Sequence, residues 1–243
     1  MRFIGKTALI TGAASGMGLL TSKLLHEEGA HVVMLDINTE ALKEKAAEIG
    51  CDSKTVDVRN YNEIEDAVAY AKEKYGSVDI TISYAGGNAS RVRKEGKPFY
   101  KMSLESLDWG IDVNFRAPLY MARAVVETMM EQKSGVIVNI GSIDGVTGGA
   151  GGADYSAEKA GLIGLTKSLG LLGAPYGFRC VCVSPGPVMT REAMKNMRTP
   201  MGRAAEVSEV VDLVLYLCSD KAAFITGTNH IIDGGRACAG GLY

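Results

Sequence analysis

Short apolar runs alternate along the chain with longer segments whose apolar positions recur at helical spacing. The longer segments predict helices at Gly16–Gly29, Thr39–Ile49, Tyr61–Tyr75, Ser103–Gln132, Asp154–Leu172 and Glu206–Ser219. The short runs predict strands at Lys6–Thr11, His31–Asp36, Lys54–Asp57, Val78–Ser83, Gly135–Ile140, Arg179–Ser184 and Thr228–Ile232. Most runs are continuously apolar, which is typical of parallel strands buried on both faces. The alternation therefore predicts an α/β fold in three layers, doubly wound around one parallel sheet.

Three segments interrupt this regular pattern. The long helical region Ser103–Gln132 contains Pro118, so we expect it to form two pieces or to kink near that proline. A polar loop is predicted from Gly86 to Met102, and a glycine-rich stretch covers Gly145–Gly152. No linker or short repeat divides the chain, and its 243 residues fit one domain over residues 1–243.

Composition and charge exclude several classes of protein. The formal charge of −2 argues against nucleic acid as the main partner, since phosphate binding leaves a basic footprint. No apolar run approaches the roughly 18 residues of a membrane span, and the amino-terminal segment lacks the pattern of a signal peptide. We therefore expect a cytoplasmic protein. The five cysteines form no CxxC, and the three histidines are isolated, so no metal site is predicted.

A glycine turn, TGAASGMG at Thr11–Gly18, lies between the first strand and the first helix. In this position glycines make a tight turn, admit a pyrophosphate to the backbone and let helix and strand pack closely. The amide groups at the helix start attract phosphate charge. The turn predicts a dinucleotide site with contacts from Gly12, Ser15, Gly16, Met17 and Gly18; the alternative is a glycine turn without a ligand.

Carboxylates end the second and third predicted strands. Asp36 is placed to accept hydrogen bonds from ribose hydroxyls and to repel a 2′-phosphate, and neither Ser15 nor Ile37 is basic. This favours NAD over NADP, although Asp36 could also cap the next helix. Asp57 and Val58 are predicted adenine contacts, the first by accepting from the exocyclic amine and the second by packing on the ring.

A tyrosine and a lysine, Tyr155 and Lys159, are four residues apart and share one face of a predicted helix. A tyrosine has a pKa near 10, so it is a poor base unless a neighbouring cation stabilises the phenolate. Lys159 and an oxidised nicotinamide would do this, and Tyr155 would then exchange a proton with an alcohol or ketone. Ser142 ends the fifth strand, where its hydroxyl can orient the substrate oxygen. Asn114 is a candidate to hold a water that relays protons from Lys159.

These motifs, together with PGPVMT at Pro185–Thr190 and IDGG at Ile232–Gly235, resemble the short-chain dehydrogenase/reductase family over essentially the whole chain. The resemblance implies a Rossmann sheet of about seven strands and a homotetramer that joins the helices carrying Asn114 and Tyr155. It implies a catalytic tetrad made of Asn114, Ser142, Tyr155 and Lys159. It also implies further cofactor contacts, including the nicotinamide ribose on Tyr155 and Lys159, at Ala85, Gly86, Pro185, Gly186, Val188 and Thr190.

The chain departs from the family pattern in two places. Where the family usually carries NNAG, this chain has Ser83, Tyr84, Ala85 and Gly86, so both amides are absent. We interpret Tyr84 as a packing residue, with a new cofactor contact as the alternative. The predicted substrate lid, at about 189–203, is short, and GGAGG at Gly148–Gly152 adds little bulk, so we expect an open pocket.

The expected activity is an NAD-dependent alcohol dehydrogenase or ketoreductase that interconverts a secondary alcohol and a ketone. Ser142, Asp144 and Tyr155 are the predicted substrate contacts, and Asp144 favours a sugar or polyol; a solvent-facing carboxylate is the alternative. A hydroxysteroid and a 3-oxoacyl thioester are the other candidate substrates. The basic cluster of Arg91, Arg93 and Lys94 is interpreted as a solvated loop, with contact to an anionic substrate as the alternative. The rival hypothesis is a non-catalytic NAD-sensing protein, for which the altered NNAG segment is the only support.

Overall fold

A computed structural model describes residues 1–239, so the last four residues of the predicted domain lie outside it. Seven parallel strands form one sheet in the order β3-β2-β1-β4-β5-β6-β7. Their bounds are β1 Thr7–Thr11, β2 His31–Asp36, β3 Asp52–Thr55, β4 Ile80–Ser83, β5 Gly135–Ile140, β6 Phe178–Pro185 and β7 Thr228–Ile232. The Rossmann fold and the sheet of seven strands are both confirmed.

Nine α-helices in the described chain connect and cover the strands. They are α1 Gly16–Glu27, α2 Thr39–Ile49, α3 Tyr61–Tyr75, α4 Ala89–Val92, α5 Leu104–Ile111, α6 Ala117–Gln132, α7 Asp144–Thr147, α8 Ala153–Gly173 and α9 Val207–Cys218. One buried cluster joins the sheet to α1, α2 and α9, and a second joins its other face to α3 and α6. Strands β1, β4 and β5 are buried along almost their whole length, as their apolar sequences predict.

The long helical region is interrupted two residues before the place we expected. A π-helical turn occupies Asp112–Arg116, between α5 and α6, and the Ala117 amide donates to the Asp112 carbonyl. Pro118 has no amide hydrogen, so the regular bond to the Asn114 carbonyl cannot form. Extra residues inserted at such a point make a π-bulge, which often marks a functional site. The interruption therefore centres on Asn114 rather than on the proline.

Strand β3 is shifted from its predicted position. It covers Asp52–Thr55 and pairs residue by residue with Val33–Asp36 of β2, whereas the sequence favoured Lys54–Asp57. As an edge strand, β3 is bounded by its hydrogen bonds to β2, and its half-exposed residues give no apolar signal. The predicted loop Gly86–Met102 also contains the short helix α4 and a 3₁₀ turn at Phe99–Lys101.

The sheet reverses its winding between β1 and β4, which are adjacent in space although β2 and β3 lie between them in sequence. In such sheets ligands bind in the crevice beyond the carboxyl ends of the strands at this switch point. The carboxyl ends of β1, β4, β5 and β6 carry the motifs singled out from the sequence. Within residues 1–239, no helix is sufficiently long and apolar to span a bilayer.

Candidate active site

A cavity of about 990 Å³ opens at the carboxyl ends of the central strands. Every predicted cofactor and substrate residue lines it, and of the four predicted catalytic residues only Asn114 does not. The lining residues from the sequence predictions are Gly12, Ser15, Gly16, Met17, Gly18, Asp36, Asp57, Val58, Ala85, Gly86, Ser142, Asp144, Tyr155, Lys159, Pro185, Gly186, Val188 and Thr190. Their roles remain predictions, whereas their assembly in one cavity is a property of the fold.

The glycine turn forms the floor at one end of the cavity. A Cβ atom added at Gly12 would lie 2.8 Å from the Ala85 amide nitrogen, and one added at Gly18 would collide with the Gly12 carbonyl oxygen. Side chains are therefore excluded where β1, β4 and α1 converge. A Cβ at Gly16 would meet only the Thr190 methyl, at 3.9 Å, so the amide groups at the start of α1 border open space. This cradle fits the pyrophosphate of a dinucleotide.

Asp36 lies at the end of β2 with both carboxylate oxygens held by the backbone. One oxygen accepts from the Ala14 amide at 3.1 Å and the other from the Asn38 amide at 3.0 Å. These bonds fix the carboxylate against the glycine turn and hold its negative charge in the cavity wall. Asp57 is also in the wall, but its carboxylate is paired with Arg59 at 2.6 Å, which lowers the Asp57 pKa.

The departure at Tyr84 has a definite structural consequence. The Tyr84 side chain packs against the core on the α1 side of the sheet, and its hydroxyl lies 2.8 Å from the Thr21 hydroxyl. Tyr84 also lines the cavity, so the packing role and the cavity position coexist. At the same strand end, the Ala85 amide donates to the Thr11 hydroxyl at 3.2 Å. The link between β4 and the nucleotide end is thus retained without the two amides.

Tyr155 and Ser142 face each other at the opposite end of the cavity. Tyr155 is in the first turn of α8, and Ser142 follows β5, where its hydroxyl accepts from the Asp144 amide at 3.2 Å. Burial raises the pKa of Tyr155 to about 12, and the hydroxyl of Ser142 opposes that rise. Two hydroxyl groups therefore share one site, as an oxygen-binding centre requires.

Lys159 is almost completely buried, and its ammonium nitrogen donates to the Ile140 carbonyl at 2.7 Å. That nitrogen lies 5.7 Å from the centre of the Tyr155 ring. Burial lowers the pKa of Lys159 to about 8. Within the chain, the Ser142 hydroxyl and the charge of Arg91 lower the Tyr155 pKa against the larger effect of burial. Stabilisation of the phenolate by Lys159 stays a prediction.

Asn114 lies behind the cavity wall, in the π-helical turn. Its amide oxygen accepts from the Gly87 amide at 2.8 Å, while its amide nitrogen donates to the Gly87 carbonyl at 2.9 Å. The same nitrogen donates to the Glu158 carboxylate at 2.8 Å. The side chain thus clamps the loop after β4, and the water-holding role expected of Asn114 stays a prediction. A Cβ at Gly86 would lie 2.5 Å from its oxygen, so only glycine fits there.

Glu158 was not identified from the sequence. It is 5% exposed, and burial raises its pKa to about 7. One carboxylate oxygen accepts from Asn114, and the other has no hydrogen-bond partner within the described chain. A glutamate between the tyrosine and the lysine belongs to no motif, so the sequence gives no reason to single it out. Its contact depends on the π-helical turn, which brings Asn114 to α8.

The remaining walls come from two loops and the segment 189–203. Gly149, Ala150, Gly151 and Gly152 line the cavity with little bulk, as expected, and a 3₁₀ turn at Glu192–Asn196 borders it. Burial raises the pKa of Asp144, which lies beside the reacting end. Besides Arg59, which is paired with Asp57, three arginines line the cavity: Arg91, Arg191 and Arg236. Only Arg91 was singled out from the sequence, since nothing in their spacing predicts that the three converge.

Comparison with known proteins gives consistent matches along the chain. A family model described as Enoyl-(Acyl carrier protein) reductase matches residues 12–237. The oxidoreductase UcpA of Salmonella typhimurium is 35% identical over 257 residues, covering 96% of this chain and 95% of that protein. The 3-oxoacyl-[acyl-carrier-protein] reductase FabG of Thermotoga maritima is 34% identical over 250 residues, covering 97% and 99%. The crystal structure of levodione reductase superposes with a TM-score of 0.90 at 27% identity, covering 98% and 100%.

Proposed function

Because the chain belongs to the short-chain dehydrogenase/reductase family of oxidoreductases, whose fold binds a nicotinamide dinucleotide, we propose that it interconverts a secondary alcohol and a ketone. The observation that carries this proposal is the shared cavity. The glycine cradle lies at one end, and the facing hydroxyls of Ser142 and Tyr155 lie at the other. The bound nicotinamide supplies the chemistry of hydride acceptance and donation.

The residues of the chain then manage the substrate oxygen and its proton. Ser142 orients that oxygen, and Tyr155 takes the hydroxyl proton when the alcohol is oxidised or returns it when the ketone is reduced. Lys159, held by the Ile140 carbonyl, binds the nicotinamide ribose and adds positive charge near the phenol. Asn114 keeps the loop after β4 in place through Gly87. The matching family model is described as an enoyl reductase, whose substrate reacts at a carbon–carbon double bond. The two facing hydroxyl groups of Ser142 and Tyr155 instead favour a substrate that reacts at a carbon–oxygen bond.

NAD is the proposed cofactor, and the charge of Asp36 supports this choice. The carboxylate is fixed by two backbone amides at the end of β2, where a 2′-phosphate would bring a second negative charge close to it. A nearby cation, Arg59, is already paired with Asp57. Comparison of kcat/KM for NAD and NADP with one substrate tests the proposal, and a preference for NADP would overturn it.

A homotetramer is proposed from the surface of α5 and α8. Leu104 is 73% exposed and Ile111 42% exposed, and a groove bordered by Phe115 and Ala157 separates the two helices. A Cβ at Gly164 would have no atom of residues 1–239 within 4 Å, and this open face of α8 supports packing against a second copy. Light scattering after size exclusion tests the proposal, with the mass of four chains as the expected result. A cytoplasmic location likewise remains a prediction from the sequence.

The experiment that tests the activity is a dehydrogenase screen followed at 340 nm with both cofactors. Alcohols and ketones of three classes are included: polyols, hydroxysteroids and 3-oxoacyl thioesters. Sugars or polyols are the proposed class because Asp144 and several polar groups line an open cavity. The 34% identity to a 3-oxoacyl-[acyl-carrier-protein] reductase favours the thioester as the second candidate. A protein that binds NAD but turns over no substrate would support the non-catalytic rival.

A further inference from the structure

Three arginines from distant segments converge on the reacting end of the cavity. Arg91 belongs to α4, Arg191 precedes the 3₁₀ turn at Glu192–Asn196, and Arg236 follows β7. Tyr155 and Asp144 line the same cavity. No sequence motif links the three arginines, so their arrangement depends on the folded chain. The wall of the substrate region is therefore strongly cationic.

Along the sequence, Arg91 and Arg191 are 100 positions apart, and Arg191 and Arg236 are 45 positions apart. Only the fold brings these three side chains to one cavity.

Arg91, Arg191 and Arg236 form no ion pair with another residue of 1–239, a property that they share with Arg93, Arg123, Arg179 and Arg198. Four others are paired with carboxylates: Arg2 with Glu28, Arg59 with Asp57, Arg116 with Asp112 and Arg203 with Glu209. Among residues 1–239, no carboxylate oxygen lies within the 4.0 Å of an ion pair from Arg91, Arg191 or Arg236. Arg236 acts electrostatically on one carboxylate, Asp144. Its positive charge lowers the Asp144 pKa, although burial raises that pKa by more.

Arg91 and Arg191 act on each other and on the catalytic phenol. Burial lowers the pKa of Arg91, and the positive charge of Arg191 lowers it further. The charge of Arg91 in turn lowers the pKa of Tyr155. A guanidinium nitrogen of Arg91 also lies 2.8 Å from the position of a Cβ at Gly87, so the side chain packs over the loop that Asn114 holds. Two like charges facing one region favour an anion between them.

We propose that the substrate is an anionic alcohol or ketone, whose carboxylate or phosphate group is bound by Arg91 and Arg191. This inference rests on the proposed oxidoreductase function and narrows its substrate class from a neutral polyol to a hydroxy acid or a phosphate ester. Guanidinium groups bind both anions through paired N–H donors. Arg236, whose positive charge acts on Asp144, lines the same cavity. The polar groups that favoured a polyhydroxylated substrate are retained in this assignment.

A matched substrate panel tests the proposal. Glucitol, gluconate and gluconate 6-phosphate are compared as neutral, carboxylate and phosphate probes, together with shorter homologues of each class. We expect kcat/KM at least tenfold higher for one anionic series than for the neutral polyols. In Arg91→Ala and Arg191→Ala, we expect kcat/KM for that anion to fall about tenfold to a hundredfold, chiefly through KM, since the lost contact is made in ground and transition state alike. Neutral substrates should lose little.

Two variants serve as matched controls. Arg198→Ala removes an exposed lid arginine, and Lys94→Ala an exposed cation beside α4; neither side chain lines the cavity. Both should leave anion turnover within about twofold of the wild type. If they reduce it as much as Arg91→Ala does, a general field of positive charge explains the preference, and the assigned contacts are wrong. Cofactor KM is measured in every variant, because a loss confined to the cofactor would assign the arginines to its phosphates and overturn the proposal.

A binding measurement separates failure of this inference from failure of the proposed function. Gluconate and gluconate 6-phosphate are titrated calorimetrically into the wild type and both arginine variants in the presence of reduced cofactor. Anion binding that depends on Arg91 and Arg191, without turnover of any substrate, would contradict the oxidoreductase proposal and support the anion site. Turnover of neutral and anionic substrates with equal efficiency, or anion binding unchanged in the variants, would overturn the anion site alone.

Discussion

The Asn114 amide donates to the buried Glu158 carboxylate at 2.8 Å, joining the π-helical turn to the helix that carries Tyr155 and Lys159. The other two polar contacts of Asn114 are with the backbone of Gly87. Glu158 is not among the residues that line the cavity, so it acts on the cavity through Asn114 and the loop after β4. Glu158 is a positioning residue, and its role requires an acceptor oxygen where its carboxylate meets the Asn114 amide.

Replacing Glu158 by alanine should reduce kcat about tenfold, whereas replacing it by glutamine should have a small effect. Alanine leaves the buried Asn114 N–H without a partner, which costs about 1–3 kcal/mol and frees the loop to move. Glutamine retains a carbonyl oxygen at the same position. Steady-state kinetics and thermal unfolding of both variants check this prediction. Equal loss of kcat in Glu158→Gln would show that the charge matters rather than the acceptor.

The pH dependence of stability should also change in Glu158→Gln. Burial raises the folded-state pKa of Glu158 to about 7, above its ordinary value of 4.5. Between these two values the folded chain binds more protons than the unfolded chain, so the free energy of unfolding falls as pH rises. Glutamine removes this dependence, and we expect it to gain stability relative to the wild type on the order of 2 kcal/mol between pH 4.5 and pH 8. Urea unfolding across this range measures the difference; parallel curves would contradict it.

The fold was predictable because its signals are local and redundant. Continuous apolar strands such as Gly135–Ile140, alternating with amphipathic helices, leave few arrangements other than a doubly wound parallel sheet. Element boundaries were less certain where hydrogen bonding sets them. Strand β3 is polar and half exposed, so its limits follow from its pairing with β2, which hydropathy does not encode.

The site was predictable where a motif carries its own geometry. The glycines at Gly12 and Gly18 and the pair of Tyr155 and Lys159 are short motifs. They became specific through their place after predicted strands and through their combination in one chain. Contacts between distant segments could not be predicted from the sequence. The bond from Asn114 to Glu158 needs a π-helical turn, and the meeting of Arg91 with Arg191 needs the packing of two loops around the cavity.

Tyr155→Phe should lower kcat by about a hundredfold to ten-thousandfold, the usual contribution of a positioned acid or base. The ring is retained, so cofactor binding should change little. Stopped-flow or steady-state absorbance at 340 nm measures kcat, and cofactor fluorescence measures binding. Tyr176→Phe, a matched change at a partly exposed tyrosine outside the cavity, is the control. Undiminished turnover in Tyr155→Phe would remove the phenol from the mechanism.

Asp36→Asn should reduce the preference for NAD over NADP by about tenfold, equivalent to about 1.4 kcal/mol. Asparagine keeps an oxygen that can accept from the Ala14 amide but removes the charge that opposes a 2′-phosphate. The ratio of kcat/KM for the two cofactors, measured with one substrate, checks the change. Asp57→Asn is a matched control, because its carboxylate is already paired with Arg59. A ratio unchanged in Asp36→Asn would show that charge at this position does not set the choice.

Tyr84→Phe should destabilise the protein by about 1 kcal/mol, which corresponds to a decrease in Tm of about 2–4 °C for a chain of this size. The change removes the bond between the Tyr84 and Thr21 hydroxyls, 2.8 Å apart, while the ring keeps its packing against α1. Thr21 retains its bond to the Met17 carbonyl, so its hydroxyl is not left unpaired. Calorimetry compares this variant with Tyr100→Phe, whose side chain is 78% exposed. A loss of cofactor affinity without a loss of stability would instead make the Tyr84 hydroxyl a direct cofactor contact.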